Sequence, residues 1–126
     1  MDSWKQPDCG VLEELRLPVR FRNGILASLK IIDSLHISGL CCVILYGSCA
    51  EGNIKTSSDI DLLIVTQEKF SDRAARSHVR EKIDQELEQL NVSADIVFYS
   101  KETLLTDNSV FTKNIREHGI TLWRSN

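Results

Sequence analysis

Several common sequence features are absent from this chain of 126 residues. No apolar run approaches the roughly 20 residues that a membrane-spanning helix needs, so we expect no membrane insertion. Residues 1–5 lack the basic and then apolar pattern of a signal peptide. There is no internal repeat, low-complexity segment or inter-domain linker either. We therefore predict one domain over residues 1–126, with residues 1–23 as a partly irregular N-terminal extension.

An excess of basic residues is also lacking. The chain has 15 Lys and Arg against 18 Asp and Glu, which gives a formal net charge of −3. This balance argues against a protein that coats nucleic acid through a general basic field. A small nucleotide held by local groups and a metal ion remains compatible with it.

The four cysteines form neither a CxxC pair nor the Cys/His spacing of a zinc site. We therefore expect reduced thiols in a cytoplasmic protein. Cys41 and Cys42 lie in an apolar run and are interpreted as buried small side chains. Cys49 lies in a polar loop and is expected to be accessible to alkylating reagents. The fourth is Cys9.

Hydrophobic periodicity predicts an irregular alternation of helices and strands. The order favours an α/β (α+β) domain, in which a mixed sheet of about four strands packs against helices. Strands joined by short connections are expected to pair antiparallel. The predicted helices are residues 24–38, 71–91, 101–106 and 111–117, and the predicted strands are residues 41–46, 60–66, 93–99 and 120–123.

The most informative pattern is a pair of aspartates at the start of a predicted strand. Asp59 and Asp61 are two residues apart, so in an extended chain both side chains point to the same face. Two carboxylates about 4 Å apart repel each other by roughly 4 kcal/mol at an effective dielectric constant of about 20. A cation that neutralises the pair removes this repulsion, so the pattern indicates a metal site.

A Gly-Ser step and a third aspartate surround this pair in the sequence. Gly47 and Ser48 end an apolar run, and the backbone N–H groups and hydroxyl of such a turn suit a phosphate. Asp95 lies near the start of a later strand and joins the pair if that strand lies beside residues 60–66. Such oxygen ligands suit Mg²⁺, and one carboxylate can instead act as a base for an attacking hydroxyl. Each motif alone is common at turns and strand starts, whereas the combination indicates metal-dependent phosphate chemistry.

Residues 47–52 together with residues 58–62 resemble the signature of the nucleotidyltransferase fold superfamily, which includes polymerase beta. The shared pattern is Gly-Ser, a short helical loop and then Asp-x-Asp, followed by a third aspartate on a later strand. The length and the Ser-Asp-Ile-Asp form are most similar to the minimal, single-domain nucleotidyltransferases. The resemblance covers residues 24–98 and implies an α/β core with a mixed sheet.

The resemblance also implies roles for individual residues. The carboxylates would bind one or two Mg²⁺ ions, with Mn²⁺ as a substitute, and would carry the catalysis. Small or basic groups beside them would hold the phosphates of ATP or another nucleoside triphosphate. The catalytic and metal-binding candidates are Asp59, Asp61 and Asp95, and the phosphate-binding candidates are Gly47, Ser48, Ser58 and Lys55.

One residue departs from the family pattern. Many members carry a basic residue where this chain has Glu51, and a carboxylate facing a triphosphate is unfavourable. Either Glu51 turns outward or nucleotide affinity is reduced. Lys55 in the same loop could supply a replacement charge, although a solvated lysine is the simpler interpretation.

Two functions from different classes follow. The first is a metal-dependent enzyme that moves a nucleoside monophosphate to an acceptor hydroxyl. By resemblance the acceptor is a tyrosine of a helical HEPN-type partner protein, and the chain acts as an antitoxin. The alternative is a catalytically silent module that neutralises such a partner by occlusion. A homo-oligomer is compatible with either function.

Two further groups of residues have ordinary structural interpretations. Arg73, Arg76 and Arg80 are expected to form a solvated helix face, with docking of an acidic partner as the alternative. Trp4 and Trp123 lie near the two chain ends. They could pack together or cover a partner surface, and the sequence does not decide between these two arrangements.

Overall fold

The structure is a computed structural model of the chain. It describes Leu12 and residues 14–125. The expectations for Trp4 and Cys9 therefore lie outside the described residues, as does most of what was expected for residues 1–13.

Four strands form one mixed sheet, as the sequence predicts. Their order across the sheet is β3-β2-β1-β4. Strand β1 pairs antiparallel with both β2 and β4, whereas β2 and β3 run parallel. The connection between β1 and β2, residues 47–59, contains one helical turn and joins antiparallel neighbours. The bounds are β1 Leu40–Tyr46, β2 Ile60–Thr66, β3 Ala94–Ser100 and β4 Ile120–Arg124.

Five helices have both ends within the described residues, and four of them were predicted as helices. The fifth, α2, is the single helical turn in the loop between the first two strands. Each of the last three helices has a side-chain N-cap that accepts hydrogen bonds from backbone N–H groups of its first turn. The bounds are α1 Val19–Ser34, α2 Ser48–Glu51, α3 Arg73–Glu88, α4 Lys101–Thr106 and α5 Val110–His118.

The first helix begins earlier than its apolar pattern predicts. It starts at Val19 rather than Gly24, and the carbonyl of Pro18 accepts the first helical hydrogen bonds. Gly24 lies inside the helix because the chain passes close to the sheet there. A Cβ at this position would lie 2.7 Å from Cδ1 of Ile60. This glycine therefore permits close helix–sheet packing and does not mark a helix end.

Both faces of the sheet are covered by helices, which explains why residues 62–65 of β2 are all apolar instead of alternating. On one face, Leu62 and Ile64 join the main core with the apolar stripes of α1 and α3. On the other face, Leu63 and Val65 pack with Ile115 of α5. Each fully buried side chain of this kind contributes roughly 1.5–3 kcal/mol to folding.

Trp123 of β4 belongs to the main core and is 6% exposed. It therefore does not present its ring to a partner surface. Among the helices of the described region, none combines the length and the hydropathy needed to cross a membrane.

Candidate functional site

Three carboxylates come together where β2 and β3 begin. Asp61 and Asp95 are direct partners in the parallel register of the two strands, so their side chains share one face of the sheet. Asp59 precedes Asp61 by two residues. Its Oδ1 atom accepts a hydrogen bond from the Ser93 hydroxyl, and the backbone N–H of Ile60 donates to the Ser93 carbonyl at 2.9 Å. The two strand starts are thus joined through one residue, Ser93.

The electrostatics of this cluster are unfavourable for full ionisation. Burial raises the pKa of Asp61 to about 6 from the usual 3.8, and the negative charges of Asp95 and Asp59 contribute to the rise. Burial and repulsion both disfavour the charged form of a carboxyl group. A cation at the cluster would reverse both effects, so the site is disposed to bind positive charge.

Gly47 is the residue that lets the chain pass over this cluster. Its φ of +73° lies in the region that favours glycine, and a Cβ there would overlap the carboxylate of Asp61. Tyr46, the preceding residue, is the partner of Asp61 across the antiparallel strands. Any side chain at Gly47 would therefore displace the central carboxylate.

The turn that follows Gly47 is closed by backbone hydrogen bonds. The Gly47 carbonyl accepts from the N–H groups of Ala50 and Glu51 at 3.1 Å and 3.0 Å, and α2 starts at Ser48. Ser48 is half-buried and Glu51 is exposed.

The two other candidate phosphate-binding residues lie in the turn that leads into Asp59. The Ser58 hydroxyl accepts from the backbone N–H of Lys55 at 2.8 Å, and the Ser58 N–H donates to the Lys55 carbonyl at 3.0 Å. Ser58 therefore shapes the turn through its own side chain. The side chain of Lys55 is exposed to solvent.

The expected accessibility of Cys49 is wrong. Its side chain is 1% exposed, because α2 directs it into the main core under the loop. Its Sγ atom lies 3.7 Å from the carbonyl oxygen of Asp59. Burial raises the pKa of this thiol to about 11, with further contributions from Asp61 and Asp59. The expected burial of Cys41 and Cys42 is only partial, since both are half-buried.

Aromatic side chains line the same face of the sheet beside the carboxylates. Tyr46 is 8% exposed, and its ring meets that of Phe111 edge-on, with 5.4 Å between centroids. Phe111 also lies 6.4 Å from Tyr99. Burial together with the charges of Asp61 and Asp95 raises the pKa of Tyr46 well above its usual range. Tyr46 therefore packs against this end of the site as a neutral side chain.

Two arginines of the long helix depart from the expected solvated face: Arg76 is half-buried, and Arg80 makes specific contacts. Arg80 donates from Nε and Nη2 to the carbonyl of Ile96 at 3.3 Å and 3.2 Å, and its guanidinium lies 5.1 Å from the ring centroid of Phe98. It thereby caps the outer edge of β3. Arg73 is exposed, in agreement with the expectation.

The sequence reasoning missed Ser93, although a signal for it exists. Once Asp95 is aligned with Asp61, a residue two positions earlier falls beside Asp59.

The carboxylate oxygens of Asp59, Asp61 and Asp95 suit a hard divalent cation. Among the described residues no three His, Cys, Asp or Glu side chains are arranged to hold an ion by themselves. Mg²⁺ is commonly held by one or two carboxylates together with substrate phosphates. Asp59 and Asp61 can supply the carboxylates.

A family model described as polymerase beta nucleotidyltransferase matches residues 30–126. The matched region contains the Gly-Ser step and all three aspartates. Among curated proteins, no significant match was found.

Several solved structures share the fold. A toxin-antitoxin structure with AMP-PNP matches with a TM-score of 0.59 and 24% identity, over 82% of this chain and 73% of that one. A toxin-antitoxin MntA-HepT structure matches with a TM-score of 0.51 and 24% identity, over 79% of this chain and 72% of that one. A putative nucleotidyltransferase from Sulfolobus solfataricus matches with a TM-score of 0.52 and 16% identity, over 83% and 84% of the two chains.

Proposed function

This chain belongs to the polymerase beta nucleotidyltransferase family, and we propose that it transfers a nucleoside monophosphate from ATP, or another nucleoside triphosphate, to an acceptor hydroxyl. The observation that carries this proposal is the convergence of Asp59, Asp61 and Asp95 where β2 and β3 begin, with Gly47 against Asp61. A fold without this chemistry gains nothing from three carboxylates that repel one another.

The proposed reaction is an in-line displacement at the α-phosphorus. The acceptor oxygen forms a bond to that phosphorus, the bond to the bridging oxygen breaks, and pyrophosphate leaves with the bonding electrons. The acceptor must lose its proton, and Asp95 is the candidate to accept it, because it stands beside Asp61 without being part of the Asp-x-Asp pair. Catalysis then consists mainly of positioning and charge neutralisation.

The binding groups divide according to their position around the cluster. Asp59 and Asp61 would hold Mg²⁺, with Mn²⁺ as a substitute, and the bound ion supplies neutralisation of phosphate charge. The Gly47-Ser48 turn, with its left-handed glycine, would face the triphosphate. Ser58 shapes the loop that leads into Asp59, and the exposed Lys55 is available to a phosphate only if this loop closes on the nucleotide.

We place the acceptor on a helical partner protein of the HEPN type, so that the chain acts as an antitoxin in the cytoplasm. Two of the solved structures that share its fold are toxin-antitoxin assemblies, one of them with AMP-PNP. At these identities the likeness concerns the fold, so the acceptor requires a direct test. The silent occluding module is the other candidate. Its main support is Glu51, an exposed carboxylate in the loop over the cluster.

The test is incubation of the chain with α-labelled ATP, Mg²⁺ and the product of the neighbouring gene. We expect label on the partner with wild type, and loss of labelling by at least about a hundredfold for Asp61→Asn, as for loss of electrostatic stabilisation. Glu86→Gln makes the same carboxylate-to-amide change at an exposed position of α3 outside the cavity of Asp59 and Asp95, and should label normally. Partner binding without label in wild type would establish occlusion instead.

A further inference from the structure

Arg20, in the first turn of α1, joins two distant loops. Its Nη1 atom donates to the carbonyl of Asn91 at 2.6 Å, and its Nη2 atom donates to the carbonyl of Thr56 at 2.6 Å. The guanidinium also lies over the ring of Phe21, 4.5 Å from the centroid, and Phe21 is 1% exposed. The ring is fixed in the core, so the guanidinium on top of it has a defined orientation.

Both loops lead directly into the carboxylate cluster. Thr56 lies in the turn closed by Lys55 and Ser58, immediately before Asp59. Asn91 has a φ of +54° and ends the connection from α3 shortly before Asp95. Movement of either loop therefore moves the start of a carboxylate-bearing strand.

The loops are also joined nearer the cluster, through Ser93. Its hydroxyl donates to Asp59, and its carbonyl accepts from the N–H of Ile60. Arg20 adds a second link farther from the cluster. The hydrogen bonds of Ser93 and those of Arg20 join the loops at two different points. Together they restrict rotation of one loop against the other, whereas a single connection would leave that rotation free.

We propose that Arg20 is a positioning residue, which sets the separation of Asp59 and Asp95 by bridging the loops that precede them. The inference rests on the proposed nucleotidyl transfer. It assigns a role in that reaction to a helix turn outside residues 30–126, the region that matches the family model. The planar guanidinium presents donors in a fixed fork, so it can serve two carbonyls at once, whereas a lysine ammonium lacks this geometry.

The kinetic test compares Arg20→Ala and Arg20→Lys with Arg22→Ala. Arg22 lies two positions along the same helix and thus about 200° around its axis. For Arg20→Ala we expect kcat of partner labelling to fall by about a hundredfold, as for a misplacement of about 1 Å, with little change in KM for ATP. Arg20→Lys should recover only a small part of the loss, and Arg22→Ala should match wild type.

Chemical rescue separates a positioning role from a general loss of stability. Guanidinium ion at tens of millimolar, far below denaturing concentrations, should restore part of the kcat of Arg20→Ala and leave wild type unchanged. A variant that is merely less stable would gain nothing from the added ion, because guanidinium weakens folding. Failure of the rescue, or wild-type kcat in Arg20→Ala, would overturn the proposal.

Amide hydrogen exchange provides a readout that does not need catalysis. In Arg20→Ala we expect faster exchange at the N–H of Ser58, which closes the first loop, and at the N–H of Ile60, which bonds across to Ser93, with unchanged exchange in the centre of β2. One outcome is that wild type exchanges these two N–H groups more slowly than Arg20→Ala and yet shows no transferase activity. In that case the proposed function fails while the bridging role of Arg20 stands. If exchange is the same in all variants, the bridging role is refuted whatever the activity. If Arg20→Ala does not fold, the same exchange measurement is made on Arg20→Lys and compared with wild type.

Discussion

The pKa of Asp61 makes a quantitative prediction for Asp61→Asn. The carboxyl group has a pKa of about 6 in the folded state and 3.8 as its ordinary value. At about 1.4 kcal/mol for each unit, the ionised group would destabilise the fold by about 3 kcal/mol. Because the side chain is only partly buried, solvent screening lowers this to ~1–2 kcal/mol. Asparagine has nearly the same shape without the charge, so the variant should be more stable than wild type at pH 7.

The pH dependence has a definite sign. Below about pH 4 the group is protonated in both states, so wild type and variant should be equally stable. Between about pH 4 and pH 6 the folded state keeps a proton that the unfolded state has lost, and wild type therefore loses stability as the pH rises. Above about pH 6 the difference should reach its full value and remain constant.

The assay is denaturant or thermal unfolding of wild type and Asp61→Asn from pH 4 to pH 8. The full difference corresponds to a gain of roughly 4–8 °C in Tm for the variant at pH 7. Glu86→Gln serves as the control, since its side chain is exposed on α3 outside the cavity of Asp59 and Asp95. Equal stability of wild type and Asp61→Asn across this range would refute the account of the cluster.

Addition of Mg²⁺ completes this experiment. An ion at ten times its Kd stabilises the native state by about 1.4 kcal/mol, provided that it does not bind the unfolded chain. We expect this gain in wild type at pH 7 and its loss in Asp61→Asn. If neither protein responds to Mg²⁺ or Mn²⁺, the carboxylates do not form a metal site.

Three further predictions concern the loop over the cluster. Gly47→Ala should lower stability by about 1–3 kcal/mol in denaturant melts, because its Cβ overlaps Asp61 at a positive φ, whereas Gly52→Ala, with open space around it, should lose only about 1 kcal/mol. Cys49 should resist iodoacetamide at pH 8 in the native state and react once the chain is unfolded, as mass spectrometry can show; native labelling would contradict its burial. Glu51→Gln should change the KM for ATP less than about threefold, because its exposed charge is screened, and a larger decrease would show that it faces the triphosphate.

The elements with strong local signals were predicted well. The long helix was expected over residues 71–91 and is found at Arg73–Glu88, with Val79, Ile83 and Leu87 buried. Ser100 caps the short helix Lys101–Thr106 as its side chain and position indicate. These features depend on neighbouring residues only, so they can be read along the chain. The start of α1 was missed because Gly24 was interpreted as a boundary, whereas its position reflects contact with Ile60 of a distant strand.

In the candidate site, too, local patterns were predicted from the sequence, whereas contacts between distant residues were not. The Asp-x-Asp pair and the Gly-Ser step are local patterns, and both were found in the sequence. The alignment of Asp95 with Asp61 depended on which strand lies beside β2, and the sheet order decides it. The burial of Cys49 and the edge-capping role of Arg80 likewise depend on what packs against them.

The sequence by itself determined the kinds of groups at this site and their order along the chain. Spacing of two residues puts both aspartates on one face, and a glycine follows the strand that pairs with them. Only the tertiary structure decided how these groups are held. The hydrogen bonds of Arg20 span 36 and 71 positions in the chain, and no periodic pattern connects residues at such separations. Such contacts exist only after α1 and the sheet have packed, because packing alone brings their backbone carbonyls within reach of one guanidinium.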